Sequence, residues 1–181
     1  MRANQSFQRT ASGGRRIRTL AMQNQLDIRN ARIEEVPLIS NLILNVAHYF
    51  SPGPDGNIAA WFLNSVTTPA IEGYINDPKY NYLVAYSGQS LVGVIAVRDT
   101  THLYHLFVAP EVHRQGVAAR LWARAKTDAL HAGNNEGFFV RSSEYAVPVY
   151  ERFGFRVVGT RSEKDGLKFV PMRLELQHVH G

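Results

Sequence analysis

The stretch Val108–Ala118, VAPEVHRQGVA, reads as the end of a strand passing through a short turn into the start of a helix. Before it, HLYHLF is apolar and aromatic with histidines interspersed. After it, RLWARAKTDAL has helical spacing, with Val117, Leu121, Trp122, Ala125 and Ala129 near one face. The turn is therefore also a helix N-terminus, where backbone N–H groups lack intrahelical partners and the aligned peptide dipoles favour negative charge. Gly116 has no side chain to hold a ligand off the backbone, Ala118 and Ala119 keep the next turn small, and Arg114 and Gln115 bring charge and hydrogen bonds to the rim. A pyrophosphate suits such a turn. Taken alone, a single glycine after a strand reads more readily as the relief of a tight turn, so a second segment has to decide.

HRQGVA resembles the acyl-CoA-binding motif of the GCN5-related N-acetyltransferases, Gln/Arg-x-x-Gly-x-Gly/Ala, with Gly116 and Ala118 in register and His113 where that family usually has Gln or Arg. Downstream, residues 140–155, VRSSEYAVPVYERFGF, are similar to the family's other signature: Ala146, Tyr150, Glu151, Arg152, Gly154 and Phe155 fit, and Ser143 stands at its Asn position. The resemblance spans roughly residues 25–176. It implies an α+β chain with the family's mixed, mostly antiparallel twisted sheet of about seven strands and about four helices.

It also implies acetyl-CoA as acyl donor and direct attack by a primary amine in a ternary complex, the acceptor being a small-molecule amine or a protein amino group. By the resemblance, main-chain donors of His113, Arg114, Gln115, Gly116, Val117, Ala118 and Ala119 hold the diphosphate. The main chain of Leu106, Phe107 and Val108 binds the pantetheine amides, and Ser143 touches the same arm or caps the next helix. Tyr150 hydrogen-bonds the departing sulfur, and His102, six residues before Val108, stands where several members carry a basic Glu or His. Among the aromatics, Tyr49, Phe50 and Tyr104 face the acceptor, with His48, Trp61 and Phe62 as further candidates against a reading as core. A non-catalytic acyl-CoA-binding or regulatory module of the same fold is the alternative.

Acyl transfer to an amine needs a neutral nitrogen. Deprotonating a lysine-like amine at pH 7 costs about 4.6 kcal/mol, an α-amino group about 1.1 kcal/mol, so base assistance matters more for the former. Strand alternation puts His102 and Tyr104 on one face with Leu106 and Val108, and His105 on the other unless a bulge intervenes. A phenol is a weaker acid than a thiol by about 1.5 pKa units, so Tyr150 is expected to stabilise the thiolate by hydrogen bonding rather than by full proton transfer.

The 181 residues suit one domain, and 45% apolar content agrees. No apolar run approaches a membrane span, and the absence of cysteine removes disulfides, Cys-based metal sites and thiol nucleophiles. The histidines lack ligand spacing with carboxylates, so no metal is expected. Charge is unevenly placed: Arg2, Arg9, Arg15, Arg16 and Arg18 precede residue 25 without an acid, and the remaining 15 Lys and Arg are balanced by 15 Asp and Glu. Residues 1–24 therefore read as a disordered basic tail, or as an extension upstream of a start at Met22, with residues 25–181 as the acetyltransferase domain. Nucleic-acid binding through the tail is not expected, nor is membrane association. A cytoplasmic location is expected, and a homodimer stays open.

Along the chain, QLDIRNA is a first strand with Leu26 and Ile28 inward. A helix follows with Glu34 and Glu35 at its positive end and Val36, Ile39, Leu42, Ile43 and Val46 buried. SPGPDGN at 51–57 breaks it, and a second helical region occupies about 58–76, interrupted near Pro69. Strands at 81–86 and 91–98 form a hairpin, and the decisive segment and its helix follow, ending near His131–Gly133. A strand at 137–141, a short helix at 144–152 ending at Gly154, and strands at about 155–161 and 167–176 around a turn at 164–166 complete the plan.

Overall fold

The computed structural model describes residues 26–49, 58–164 and 167–177. The basic segment 1–24, Phe50, the expected break at 51–57 and residues 165–166 of the last turn lie outside them. Among the described residues there are eight strands and five α-helices, in the order β1 (Leu26–Asn30), α1 (Val36–Ala47), α2 (Ala60–Ser65), α3 (Thr68–Asn76), β2 (Tyr80–Ser87), β3 (Ser90–Arg98), β4 (His102–Val108), α4 (Val117–His131), β5 (Phe138–Ser142), α5 (Val147–Arg152), β6 (Arg156–Val157), β7 (Ser162–Lys164) and β8 (Leu167–Leu174). The sheet runs β1-β2-β3-β4-β5-β8-β6, with β7 on β8. Every pairing is antiparallel except β4 with β5, whose parallel alignment needs the crossover that α4 supplies.

Both faces of the sheet are covered, which is why YLVA in β2 and VGVIAV in β3 are continuous apolar runs rather than alternating ones. One face packs on α4 and α5 through Leu83, Ile95, Leu103, Leu121, Trp122, Phe138 and Tyr150. The other packs on α1 and α3 through Ile39, Ile43, Val46, Ile71, Val84, Val94 and Phe107. The stripes expected on α1 and α4 are buried as the helical period requires.

Two expectations change. The strand expected at 155–161 breaks because Gly159 sits at φ +88°, outside the extended region, so the chain makes two short strands that both pair with β8. In β4 a bulge does intervene: Ala96 pairs with His105 and Val97 with Leu103, leaving Tyr104 as the extra residue. The face expected to unite His102, Tyr104, Leu106 and Val108 is therefore split. Leu106 and Val108 pack on the α4 side, whereas Tyr104, His105 and Phe107 lie on the α1–α3 side. His102 stays with Tyr104, ring centroids 5.6 Å apart.

Glu35 does more than favour a helix terminus. Its carboxylate takes Arg29 Nη2 at 2.6 Å, Arg29 Nη1 at 2.9 Å, the Tyr86 hydroxyl at 2.8 Å and the Arg32 backbone N–H at 2.8 Å, tying α1 to β1 and β2. Hydrogen bonding from Arg29, with help from Tyr86 and the Arg32 amide, holds the carboxyl down to about 2 against the opposing effect of burial. A folded value below the unfolded one means the contribution is present above pH ~4.3 and is lost as pH falls toward 2. Glu35→Gln is expected to cost about 1–3 kcal/mol at pH 7. In urea unfolding the gap from the parent protein should narrow at pH 3; a gap independent of pH would contradict the linkage.

Candidate active site

β4 and β5 touch at one register position, His102 opposite Phe139, with the Phe139 N–H donating to the Thr101 carbonyl at 3.0 Å. Beyond it they part, and a cleft of about 610 Å³ opens between Leu106–Val108 on one side and Ala146, Val149, Tyr150 and Phe153 on the other. The β3 register decides which main-chain groups face it. Ala109 N–H donates to Val92 at 2.9 Å, so Ala109 and Phe107 direct their peptide groups to β3, whereas those of Leu106 and Val108 point into the cleft. The expectation that Phe107 offers main-chain bonds there is thereby corrected: its N–H and C=O belong to the β3 ladder.

The head of the cleft is the 109–117 turn. Arg114 has φ +62°, and Gly116, the N-cap of α4, has φ +80° and ψ 7°. These left-handed residues bend the chain so that the amides of Gly116, Val117, Ala118 and Ala119 converge on the cleft mouth. No backbone carbonyl among the described residues accepts from them, and the first intrahelical bond runs from Arg120 to Gly116. His113 is explained by its ring: Nε2 lies 2.9 Å from the Val108 carbonyl, which can only accept, so Nε2 carries the proton and closes the turn. Gln115 does not reach the cleft. Its side-chain amide turns back to the Glu111 carbonyl at 3.1 Å.

Among the described residues the lining carries Arg114, Arg152 and His113 but no carboxylate, so the field inside favours an anion. Its walls are apolar, from Val46, Val112, Pro148, Val149 and Phe153. Tyr150 stands in the wall with its ring buried against Phe153 and Phe155, and burial raises its phenol pKa above the ordinary value. No hydrogen-bond partner for its hydroxyl is found among the described residues.

Ser143 serves α5: its hydroxyl accepts from the Ala146 N–H at 3.3 Å. Tyr49 reaches the cleft, its ring 6.4 Å from those of His113 and Tyr145, while Phe50 lies outside the described residues. Tyr104 meets Tyr74, hydroxyl to hydroxyl at 3.2 Å, on the α1–α3 side. His102 is not brought to the cleft lining. It stacks on Phe139 at 4.3 Å, its Nδ1 is buried without a hydrogen-bond partner among the described residues, and burial with help from Arg98 and Arg141 pushes its pKa down to about 4. His105, buried and 3.1 Å from the Tyr82 hydroxyl, is pushed down to about 3, again by burial.

Tyr145 and Arg152 line the cleft without having been singled out for it. Arg152, two residues beyond Tyr150, was legible as a helix neighbour. Tyr145 was not, because its contact to Tyr49 spans almost a hundred residues of chain.

No three His, Asp or Glu side chains gather as a metal site among the described residues, and no described helix is long and apolar enough to cross a membrane. Comparison with known proteins bears on the fold. A GCN5-related N-acetyltransferase from Rhodopseudomonas palustris superposes with a TM-score of 0.72 at 15% identity, over 85% of this chain and 98% of that one. PaiA N-acetyltransferase from Thermoplasma acidophilum, solved with coenzyme A, gives 0.67 at 17% identity over 84% and 99%. A UPF0039 protein of Schizosaccharomyces pombe is 30% identical over 80 residues, 44% of this chain, so the chain spans about half (53%) of the length of that curated relative. The family model described as "Acetyltransferase (GNAT) domain" matches residues 50–176. With a mixed sheet parted between β4 and β5 and that match over most of its length, the chain belongs to the GNAT acetyltransferase family.

Proposed function

We propose that this chain transfers an acetyl group from acetyl-CoA to a primary amine by direct attack in a ternary complex. The observation that carries the reading is a single continuous cleft with anion-binding amides at its head and the Tyr150 phenol in its wall. The amides of Gly116–Ala119 take the diphosphate, with Arg114 and Arg152 adding charge. The Leu106 peptide groups and the Val108 N–H, which the β3 ladder does not use, pair with pantetheine amides as an added strand would, and an N–H on that edge stabilises the carbonyl oxygen as the amine attacks. The PaiA protein, solved with coenzyme A, shares the fold that supports this reading.

As the tetrahedral intermediate collapses, the carbon–sulfur bond breaks and the thiolate leaves toward Tyr150. Burial keeps the phenol protonated, so it donates a hydrogen bond to sulfur and retains its proton, and the proton that the attacking nitrogen sheds on becoming an amide goes to the departing thiolate or to solvent. His102, neutral above pH 5 and away from the cleft lining, is assigned to the acceptor side rather than to proton removal. The amine then enters the reaction already neutral, and the acidic limb of the rate profile belongs to the acceptor.

Gly116→Ala puts a Cβ on a residue at φ +80°, a conformation that costs an L-residue about 1–2 kcal/mol. CoA affinity measured by calorimetry is expected to fall about tenfold, a factor worth about 1.4 kcal/mol; unaltered affinity would remove the turn from the site. Tyr150→Phe keeps the buried ring and deletes the donor, so kcat should drop by roughly 10–100-fold, as for a hydrogen bond to a charged group, while acetyl-CoA affinity stays within threefold. If acetyl-CoA binds but no amine is turned over by the parent protein, the chain is an acyl-CoA-binding module instead. The acidic limb of kcat/KM is expected to follow the pKa of each acceptor and to keep its position in His102→Gln. A limb abolished by that substitution would restore His102 as the base.

A further inference from the structure

The α1–α3 face of the sheet, beyond the bulge, carries a set of side chains that the proposed mechanism leaves unused. Rings frame it on two sides. Phe139 stacks on His102 at 4.3 Å, while on the other side Phe107 meets Phe62 at 6.3 Å and Trp61 meets Phe169 at 5.8 Å. Between them is Arg141. In β5 the side chains of Phe138 and Val140 are buried against α4, so alternation turns Phe139 and Arg141 to this opposite face. The β5–β8 register, Phe139 with Arg173 and Ser142 with Val170, puts Arg141 along the strand between Phe139 and Phe169.

Arg141 is exposed and has no hydrogen-bond or ion-pair partner among the described residues. Its charge is felt locally, since it and Arg98 both oppose protonation of His102. The other cations here are Arg173, opposite Phe139, and Lys164, whose Nζ lies 5.3 Å over the Trp61 ring. Of the nearby carboxylates, Asp99 pairs with Arg98 at 3.4 Å, and Glu144 is spent on Arg161 at 3.6 Å. An aromatic frame alone suits an ammonium as well as a flat apolar body. The surplus of guanidinium and ammonium groups decides between them, because a second positive charge on the acceptor would be repelled and a negative one drawn in.

We propose that the acceptor is an amine carrying both an aromatic or apolar body and a carboxylate, the body lying among Phe139, Phe62 and Trp61 and the carboxylate on the Arg141 guanidinium. This deepens the transferase reading and rests on it for the identification of this face as the acceptor side. Polyamines and other polycationic amines are excluded as acceptors by the same charges.

The test uses the full chain and three probes: L-phenylalanine, L-phenylalaninamide and spermidine. Each is titrated calorimetrically into CoA-saturated protein and then assayed for acetylation with acetyl-CoA. The acid is expected to bind at least about tenfold more tightly than its amide, as a charge-assisted pair provides, and spermidine more weakly than either. Arg141→Gln, which loses no internal partner, should shrink the acid-to-amide ratio to below about twofold, and Arg141→Glu should invert it. Equal binding of acid and amide, a preference for spermidine, no binding of any probe, or a ratio that survives Arg141→Gln overturns the assignment. Acetylation proceeding without this ranking sinks the acceptor class and leaves the transferase reading intact. The ranking without acetylation sinks the transferase reading and leaves the carboxylate site standing.

Discussion

A parallel pair of strands that meets at one residue and then separates leaves peptide groups in the interior without a ladder to join. That constraint governs this molecule. β4 and β5 share the His102–Phe139 bridge, and beyond it the extra residue Tyr104 shifts β4 by one position, so that Leu106 and Val108 turn their main-chain groups away from β3, toward the cleft and, for the Val108 carbonyl, toward the His113 ring. Unpaired backbone polar groups inside a protein are costly, and a fold that keeps them does so where something else will pair with them. Beyond the bulge the β3 side of β4 is laddered, and α4 supplies the crossover to β5. The uncommitted edge is thus the one on which the proposed function seats an extended amide-bearing ligand.

The same strand feeds the 109–117 turn. Left-handed geometry at Arg114 and Gly116 collects four amides at the start of a fifteen-residue helix, whose dipole adds to their field. His113, which departs from the family pattern, donates from its ring to the Val108 carbonyl and so fixes the distance between the strand end and the turn. The substitution changes how the turn is held rather than what the turn offers. At the far end of the cleft the buried Tyr150 phenol is suited to stabilise negative charge on a neighbour while keeping its own proton.

The bulge also separates two chemistries. Leu106 and Val108 stay on the α4 side, whereas His102, Tyr104, His105 and Phe107 line the side of α1 and α3. Histidines in this strand look like acid–base candidates, but both are driven toward the neutral form by burial, His102 with the added push of two guanidiniums. Charge on that face is carried by Arg98, Arg141, Arg173 and Lys164.

Local physics was readable in the chain itself. Apolar residues at helical spacing fixed the buried faces of α1 and α4, the segments at 81–86 and 91–98 marked the β2–β3 hairpin, and Gly116 marked the turn that opens α4. The segment around Tyr150 was legible as the second motif of the family. What the chain alone did not decide was the direction of each side chain in β4, because a bulge is set by the register against β3 and leaves no signature in HLYHLF. Nor did it decide that Phe107 spends its peptide groups on β3, that Gln115 folds back on Glu111, or that Tyr49 meets Tyr145. Those depend on contacts between residues far apart in sequence, and only the assembled sheet brings them within reach.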